Sequence, residues 1–245
     1  MKLAKAILVL VDISGYTQFL QWNRETLLHA EEIITELLEA VIDEAEYPLE
    51  LNKLEGDAAF LYTTFTDDPE AAARDVLKQV TRFLDAFRAR QEKLITNGEG
   101  GCGCAACTNI HRLRLKAFLH TGEVVIKQVR QFTELAGEAV IIIHRLLKNS
   151  LDHDEYILLT SPFFQLTGDR LAYRATSGAE NYPDAVSIQY QVYFPEPGNM
   201  YFHQPTAQPM SKPRGMMEIF RLKMSILWRR LTNRMPEGFT NLPQL

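Results

Sequence analysis

The sequence predicts an α+β fold, a ferredoxin-like βαββαβ sandwich with extra strands. Three observations predict it. Ala6 to Val11 is a continuous apolar run that ends at an acid, as a central strand buried on both faces would read. Leu27, Leu28, Ile33, Ile34, Leu37, Leu38, Val41 and Ile42 then recur at helical spacing with acids between them. Two short apolar runs flank Glu55-Gly56-Asp57, the pattern of a hairpin with glycine at its tip.

The elements follow in order. Tyr16 to Glu46 reads as one long helix or a helix pair, closed by Pro48. Leu49 to Leu54 and Ala58 to Tyr62 are the hairpin strands. Asp68-Pro69-Glu70 is a helix start, and Val76, Leu77, Val80, Phe83, Leu84 and Phe87 carry that helix to about Ile95. A Gly- and Cys-rich insertion loop fills 97–110. His111 to Leu119 alternates like a strand, and His120-Thr121-Gly122-Glu123 is expected to turn it into Val124-Val125-Ile126. Gly137 to Asn149 reads as helix, and Tyr156 to Leu159, Leu171 to Ala175 and Val186 to Phe194 as later strands. These elements make one domain, 1–194. Pro195, Pro197, Pro205, Pro209 and Pro213 mark 195–213 as an extended linker. Residues 214–235 read as a basic amphipathic helix, with Met216, Phe220, Met224, Leu227 and Trp228 on one face and Arg221, Lys223, Arg229 and Arg230 off it. Such a helix docks on its own domain or a second protomer, or lies on an anionic membrane surface.

Bulk properties narrow the function. The chain has 245 residues, 46% of them hydrophobic and 23% charged, which is enough for a real core. A net charge of −5 argues against nucleic-acid binding. No apolar run approaches the roughly 20 residues that span a bilayer. The N-terminal run is too short for a signal peptide, so a cytoplasmic location is expected. The three cysteines all fall between Cys102 and Cys107, which is not a dispersed disulfide framework.

Two acid-bearing turns carry the chemistry. Val11-Asp12-Ile13-Ser14-Gly15-Tyr16-Thr17 and Lys53-Leu54-Glu55-Gly56-Asp57 each put a carboxylate beside a glycine at the end of an apolar run. On adjacent strands, Asp12 and Asp57 would converge and could hold a divalent cation with water and phosphate. The plainer readings are a helix cap at Asp12 and a hairpin-tip acid at Asp57. Cys102, Cys104 and Cys107, spaced C-x-C-x-x-C, can wrap a soft cation such as Zn²⁺, with His111 the nearest fourth ligand in sequence. A redox-active thiol cluster, or merely small residues in a loop, are the alternatives.

Four segments together resemble the class III nucleotidyl cyclases. Asp12-Ile13-x-Gly15-Tyr16-Thr17 looks like their first metal motif and Lys53-x-x-Gly56-Asp57 like their second. Leu115 to Val125, with His120-Thr121-Gly122-Glu123, is similar to their central strand and hairpin. Glu134 to Val140, continuing to Arg145, is similar to the segment that enters their last catalytic helix. The whole chain looks like a bacterial subgroup of unknown function in that superfamily, the DUF2652-like proteins. The resemblance implies a nucleotide-cyclase type of sandwich, a purine nucleoside triphosphate (ATP favoured), Mg²⁺ or Mn²⁺ in a two-metal arrangement, and a homodimer with sites at its interface. It gives Asp12 and Asp57 to the metals, Lys53 and Glu134 to the base, and Arg145 to the phosphate in the transition state. Lysine N–H and a carboxylate acceptor suit N1 and the exocyclic amine of adenine. Two positions depart from the pattern. Ile141 stands where the family has a ribose-orienting asparagine, and residues 178–194 contain no lysine for the distal phosphates. The resemblance therefore leaves two readings: an adenylyl-type cyclase making cyclic AMP, or a degenerate domain acting as a nucleotide- or metal-sensing, or zinc-stapled, signalling scaffold.

Overall fold

In the computed structural model the described residues are 1–65, 67–96, 105–171, 174–182 and 187–195. Cys102, Cys104, most of the predicted linker and the predicted C-terminal helix lie outside them. The elements run β1 (Lys2–Ser14), α1 (Tyr16–Trp22), α2 (Leu27–Ile42), β2 (Glu50–Glu55), β3 (Ala58–Thr64), α3 (Pro69–Thr96), α4 (Ala105–Asn109), β4 (Arg114–Val129), β5 (Phe132–Ala136), α5 (Glu138–Arg145), β6 (Tyr156–Thr160), α6 (Ser161–Thr167), β7 (Arg174–Glu180) and β8 (Ile188–Phe194). The predicted βαββαβ order is present in β1 to β4. The described strands form an eight-stranded mixed sheet, ordered β2-β3-β1-β4-β6-β8-β7, with β5 paired to β4.

β1 is central because it is apolar on both faces. Ile7, Val9, Val11 and Ile13 point into one core with α2, α3 and α6. Ala6, Leu8 and Leu10 point into the other with Ala58, Phe60, Phe118 and α5. Both sets follow the two-residue alternation of a strand. The two faces are covered unequally. The 16-residue α2 and the 28-residue α3 lie over the first. The 8-residue α5 and the short turn after it lie over the second. The Arg90–Glu36 ion pair joins α3 to α2, and Arg88–Glu155 joins α3 to the loop before β6.

Two expectations change. His120 to Glu123 does not turn. β4 runs unbroken because β1 pairs along it from Lys2↔Ile126 to Ser14↔Arg114. The hairpin lies further on, between β4 and β5, where Arg130 has φ 56°. The predicted loop 97–110 contains α4, and the strand predicted from His111 starts at Arg114, after a 3₁₀ turn over Ile110–Arg112. The Gln91 side chain holds that turn, donating to the carbonyls of Ile110 (2.7 Å) and Leu113 (2.9 Å). Of the two readings of residues 16–46, one helix or a pair, the pair is the one present, split at Asn23, whose amide donates to the Phe19 carbonyl. Among the described residues no helix is long and apolar enough to cross a membrane.

Candidate functional site

Asp12 sits near the end of β1, opposite Ala58 on β3 and Lys116 on β4. Asp57 sits in the β2–β3 turn, where Gly56 takes φ 68°, a left-handed conformation that glycine reaches without strain. The Ile13 N–H donates to the Asp57 carbonyl at 3.2 Å, which ties the hairpin tip to the end of β1. The Asp57 charge acts on Asp12. Burial, then the Asp57 charge, push the Asp12 carboxyl up to about 6, against a lowering pull from Lys116. Burial also raises Asp57, Glu31 adds to the rise, and a hydrogen bond from its own backbone opposes it. Glu31 in turn accepts the Tyr16 hydroxyl at 2.8 Å.

Asp12 does not serve as the cap of α1. Gly15 occupies that position, and no side chain caps the helix. Two partly desolvated carboxylates, Asp12 facing Lys116, fit a hard divalent cation, which would lower the cost of their charge. Among the described residues no three His, Cys, Asp or Glu side chains are grouped to hold a metal. A cation at Asp12 and Asp57 would therefore complete its shell with water and phosphate, as Mg²⁺ does.

Lys53 and Glu134 meet although 81 positions separate their neighbours in sequence. Asn52 donates to the Thr133 carbonyl at 3.0 Å and so fastens β2 to β5. That contact brings the Lys53 ammonium to 4.0 Å from the Glu134 carboxylate. Its nearer partner is Glu55, at 2.9 Å. Glu55 also accepts from His144 at 3.0 Å, and His144 lies edge-on to Phe60. Burial pushes the Glu55 carboxyl up, but hydrogen bonds from Lys53 and His144 outweigh it and hold it below its ordinary range. A chain of alternating groups, Glu134, Lys53, Glu55 and His144, thus links β5, β2 and α5.

All of this lies on one face of the sheet. Asp12 follows Leu8 and Leu10 in the alternation of β1, Lys53 pairs with Phe60, Glu55 with Ala58, and Lys116 precedes Phe118 by two. This is the face that α5 covers. Arg145 ends α5 with its guanidinium over the Tyr182 ring, 5.6 Å from the centroid. The Tyr182 hydroxyl donates to the Arg145 carbonyl at 2.9 Å. Ile141, one turn earlier, is 54% exposed, an apolar side chain that its own protomer leaves largely uncovered.

Sequence reasoning missed Lys116, Glu55 and Tyr182. Lys116 is the cation facing Asp12, and its ammonium lies 5.5 Å from the Tyr156 ring centroid. Its place becomes visible only once β4 is paired with β1. Of the predicted thiol cluster, Cys102 and Cys104 lie outside the described residues. Cys107 lies in α4 and contacts His29 on α2, with Sγ 3.1 Å from Nε2. His111, the predicted partner, is exposed, and its Nδ1 faces the Thr108 carbonyl at 2.8 Å.

The comparisons with known proteins bear on the family and the fold. A family model described as "Protein of unknown function (DUF2652)" matches residues 34–156. A Mycobacterium tuberculosis protein named "Uncharacterized protein Rv2561/Rv2562" is 34% identical over 143 residues, which is 58% of this chain and 64% of that protein. The match thus spans less than two thirds of that relative. Among solved structures, the guanylyl cyclase Cya2 superposes with a TM-score of 0.59 at 16% identity, over 81% of this chain and 97% of its own. The guanylate cyclase domain of RhGC from Catenaria anguillulae, solved with GTP, gives 0.58 at 13% identity, over 79% and 98%. The adenylyl cyclase CyaB from P. aeruginosa gives 0.57 at 14%, over 80% and 96%. At such identities the likeness is one of fold. The chain belongs to the DUF2652 family, and its fold is that of the class III nucleotidyl cyclases.

Proposed function

We propose that this protein binds ATP with a divalent cation, Mg²⁺ or Mn²⁺, at a site shared by two copies of the chain. One observation carries the reading: the hairpin tip that bears Asp57 is bonded to the end of β1 beside Asp12, near enough for the Asp57 charge to act on Asp12, and Lys53 of the same hairpin approaches Glu134. In this reading Asp12 and Asp57 of one copy hold the metal. A bound divalent cation neutralises phosphate charge and orients the nucleotide. Lys116, opposite Asp12, supplies a positive charge beside the phosphates. Lys53 and Glu134 of the second copy read the base. The ammonium donates to N1, the carboxylate accepts from the exocyclic amine, and guanine would present a donor and an acceptor in the wrong places.

The reaction this arrangement serves is attack of the ribose 3′-oxygen on the α-phosphorus. The bond from that oxygen to phosphorus forms, the α–β phosphoanhydride bond breaks, and pyrophosphate leaves as the hydroxyl loses its proton. Arg145 of the second copy would meet the developing negative charge. Purified full-length protein incubated with ATP and Mn²⁺ tests this. Cyclic AMP should accumulate, and an Asp57→Ala variant should make at least tenfold less. Equal product from both would end the cyclase reading.

A second reading, binding with little turnover, rests on α5. Ile141 offers no polar atom where a ribose contact is expected, and Arg145 is stacked on Tyr182 of its own chain. Loss of one preorganised contact of this kind costs about 10²–10³-fold in rate. Its signature is a melting temperature raised by ATP and Mn²⁺ without cyclic product. A melting temperature unmoved by ATP and metal would remove both readings.

A further inference from the structure

A bulge in β2 aims Lys53. Leu51 pairs with Leu61 on β3, but Lys53, two positions on, pairs with Phe60 and not with Ala59. The extra residue is Asn52, whose side chain donates to the Thr133 carbonyl on β5 at 3.0 Å. One added residue turns the later side chains of a strand to the opposite face. In regular pairing Lys53 would stand opposite Ala59, which belongs to the core under α2 and α3. With the bulge, Lys53 stands opposite Phe60 and Glu55 opposite Ala58, on the face that bears Asp12.

The aimed side chain is also braced. A lysine stem is flexible, and a ligand must order it on binding unless a neighbour already fixes its head. Here the ammonium donates to Glu55 at 2.9 Å and lies 6.0 Å from the Phe60 ring centroid. Glu55 is held in turn from α5, where the His144 Nε2 lies 3.0 and 3.2 Å from its two carboxylate oxygens. His144 is fixed by its own helix, with Nδ1 2.8 Å from the Val140 carbonyl one turn back. Its ring stands edge-on to Phe60, with 4.9 Å between centroids. Glu134 lies farther from the ammonium, at 4.0 Å. Lys53 thus leans on Glu55, and Glu134 stays outside close hydrogen-bond range of it. Without Glu55 the carboxylate within reach is Glu134, and the two would close into a contact ion pair, occupying the donor and the acceptor that a base needs.

We propose that Glu55 and His144 are positioning residues, which hold Lys53 off Glu134 and so keep that pair open for a purine base. Their part in base selection rests on the nucleotide reading proposed above; the brace itself does not depend on a ligand.

Calorimetric titrations of ATP and of GTP, each with Mn²⁺, into the full-length chain test this. The wild type should prefer ATP. Glu55→Ala should lower the ratio of ATP to GTP affinity by about tenfold, and His144→Ala should lower it by a smaller factor. Glu55→Gln, whose amide oxygen still accepts from Lys53, should keep the ratio within about twofold of the wild type. A general loosening of the fold would weaken both nucleotides together. An unchanged ratio in Glu55→Ala, with wild-type binding intact, would therefore overturn the positioning role and leave the nucleotide reading standing. A wild type that binds neither nucleotide would remove the nucleotide reading, and base selection with it. The brace has a test without nucleotide. In a crystal structure of Glu55→Ala the Lys53 ammonium should move to about 3 Å from the Glu134 carboxylate. An ammonium that keeps its place there would overturn the brace.

Discussion

At the scale of the residue, Asp12 is a carboxylate held where water stabilises its charge poorly. Its folded-state pKa of about 6 lies above the ordinary 3.8. A group raised in this way binds more protons folded than unfolded, so its stabilising contribution is complete below about pH 4. It is lost as pH rises through 6. Asp12→Asn removes that loss. In EDTA at pH 7.5 the variant should be more stable than the wild type by about 1–2 kcal/mol, with the gap closing toward pH 4. Denaturant titrations across that range check it, and a gap that does not change with pH would contradict it. His120 works in the opposite sense. Burial lowers it to about 4, so its contribution is lost as pH falls from 6.5. It is present in both proteins and cancels in the comparison.

Lys53 has a different role, and its loss should read differently. Lys53→Ala should weaken ATP binding about tenfold, close to 1.4 kcal/mol, and narrow the preference for ATP over GTP. Mn²⁺ binding without nucleotide should be unchanged, as calorimetric titration would register. The acids were legible in the sequence because each ends an apolar run beside a glycine. Lys116 and His29 were not. One depends on which strand lies opposite β4, the other on a contact 78 positions away, and alternation within a segment carries neither.

At the scale of the element, Gly122 illustrates why the turn at 120–123 was expected and is absent. Glycine was read there as a turn signal, but its work is to admit α5. A Cβ at Gly122 would lie 2.8 Å from the Cβ of Ala139. β4 continues through Gly122 in its pairing with β1, and α5 sits close enough to bury Ala139 and Ile143 against the sheet. Gly122→Ala should cost about 1–3 kcal/mol through overpacking, and Ala139→Gly in the same chain should recover part of it. Thermal melts of the single and double variants check this, and no recovery would place the strain elsewhere. The long helices were legible because their period is sustained over many residues, and the hairpin because glycine marks its tip between two apolar runs. β5 and α6 were not, since both are short and mix polar with apolar residues, unlike the short apolar run of β6.

At the scale of the whole molecule, the unequal cover of the sheet is the central fact. One face is closed by α2 and α3, while the other bears Asp12, Lys53, Glu55 and Lys116 beside the short α5. In the proposed reading such a face is half of a site, which a second copy with its own Lys53, Glu134 and Arg145 would complete. Ligand that bridges two copies favours the dimer by mass action. ATP with Mn²⁺ should therefore raise the dimer fraction in sedimentation velocity, and ATP in EDTA should not. The most direct measurement is a calorimetric titration of ATP into the full-length protein in Mn²⁺, beside the Asp12→Asn, Asp57→Asn double variant. Saturable binding by the wild type, at least tenfold weaker in the variant, is the predicted result; equal affinity in the two proteins, or no binding by either, would contradict it.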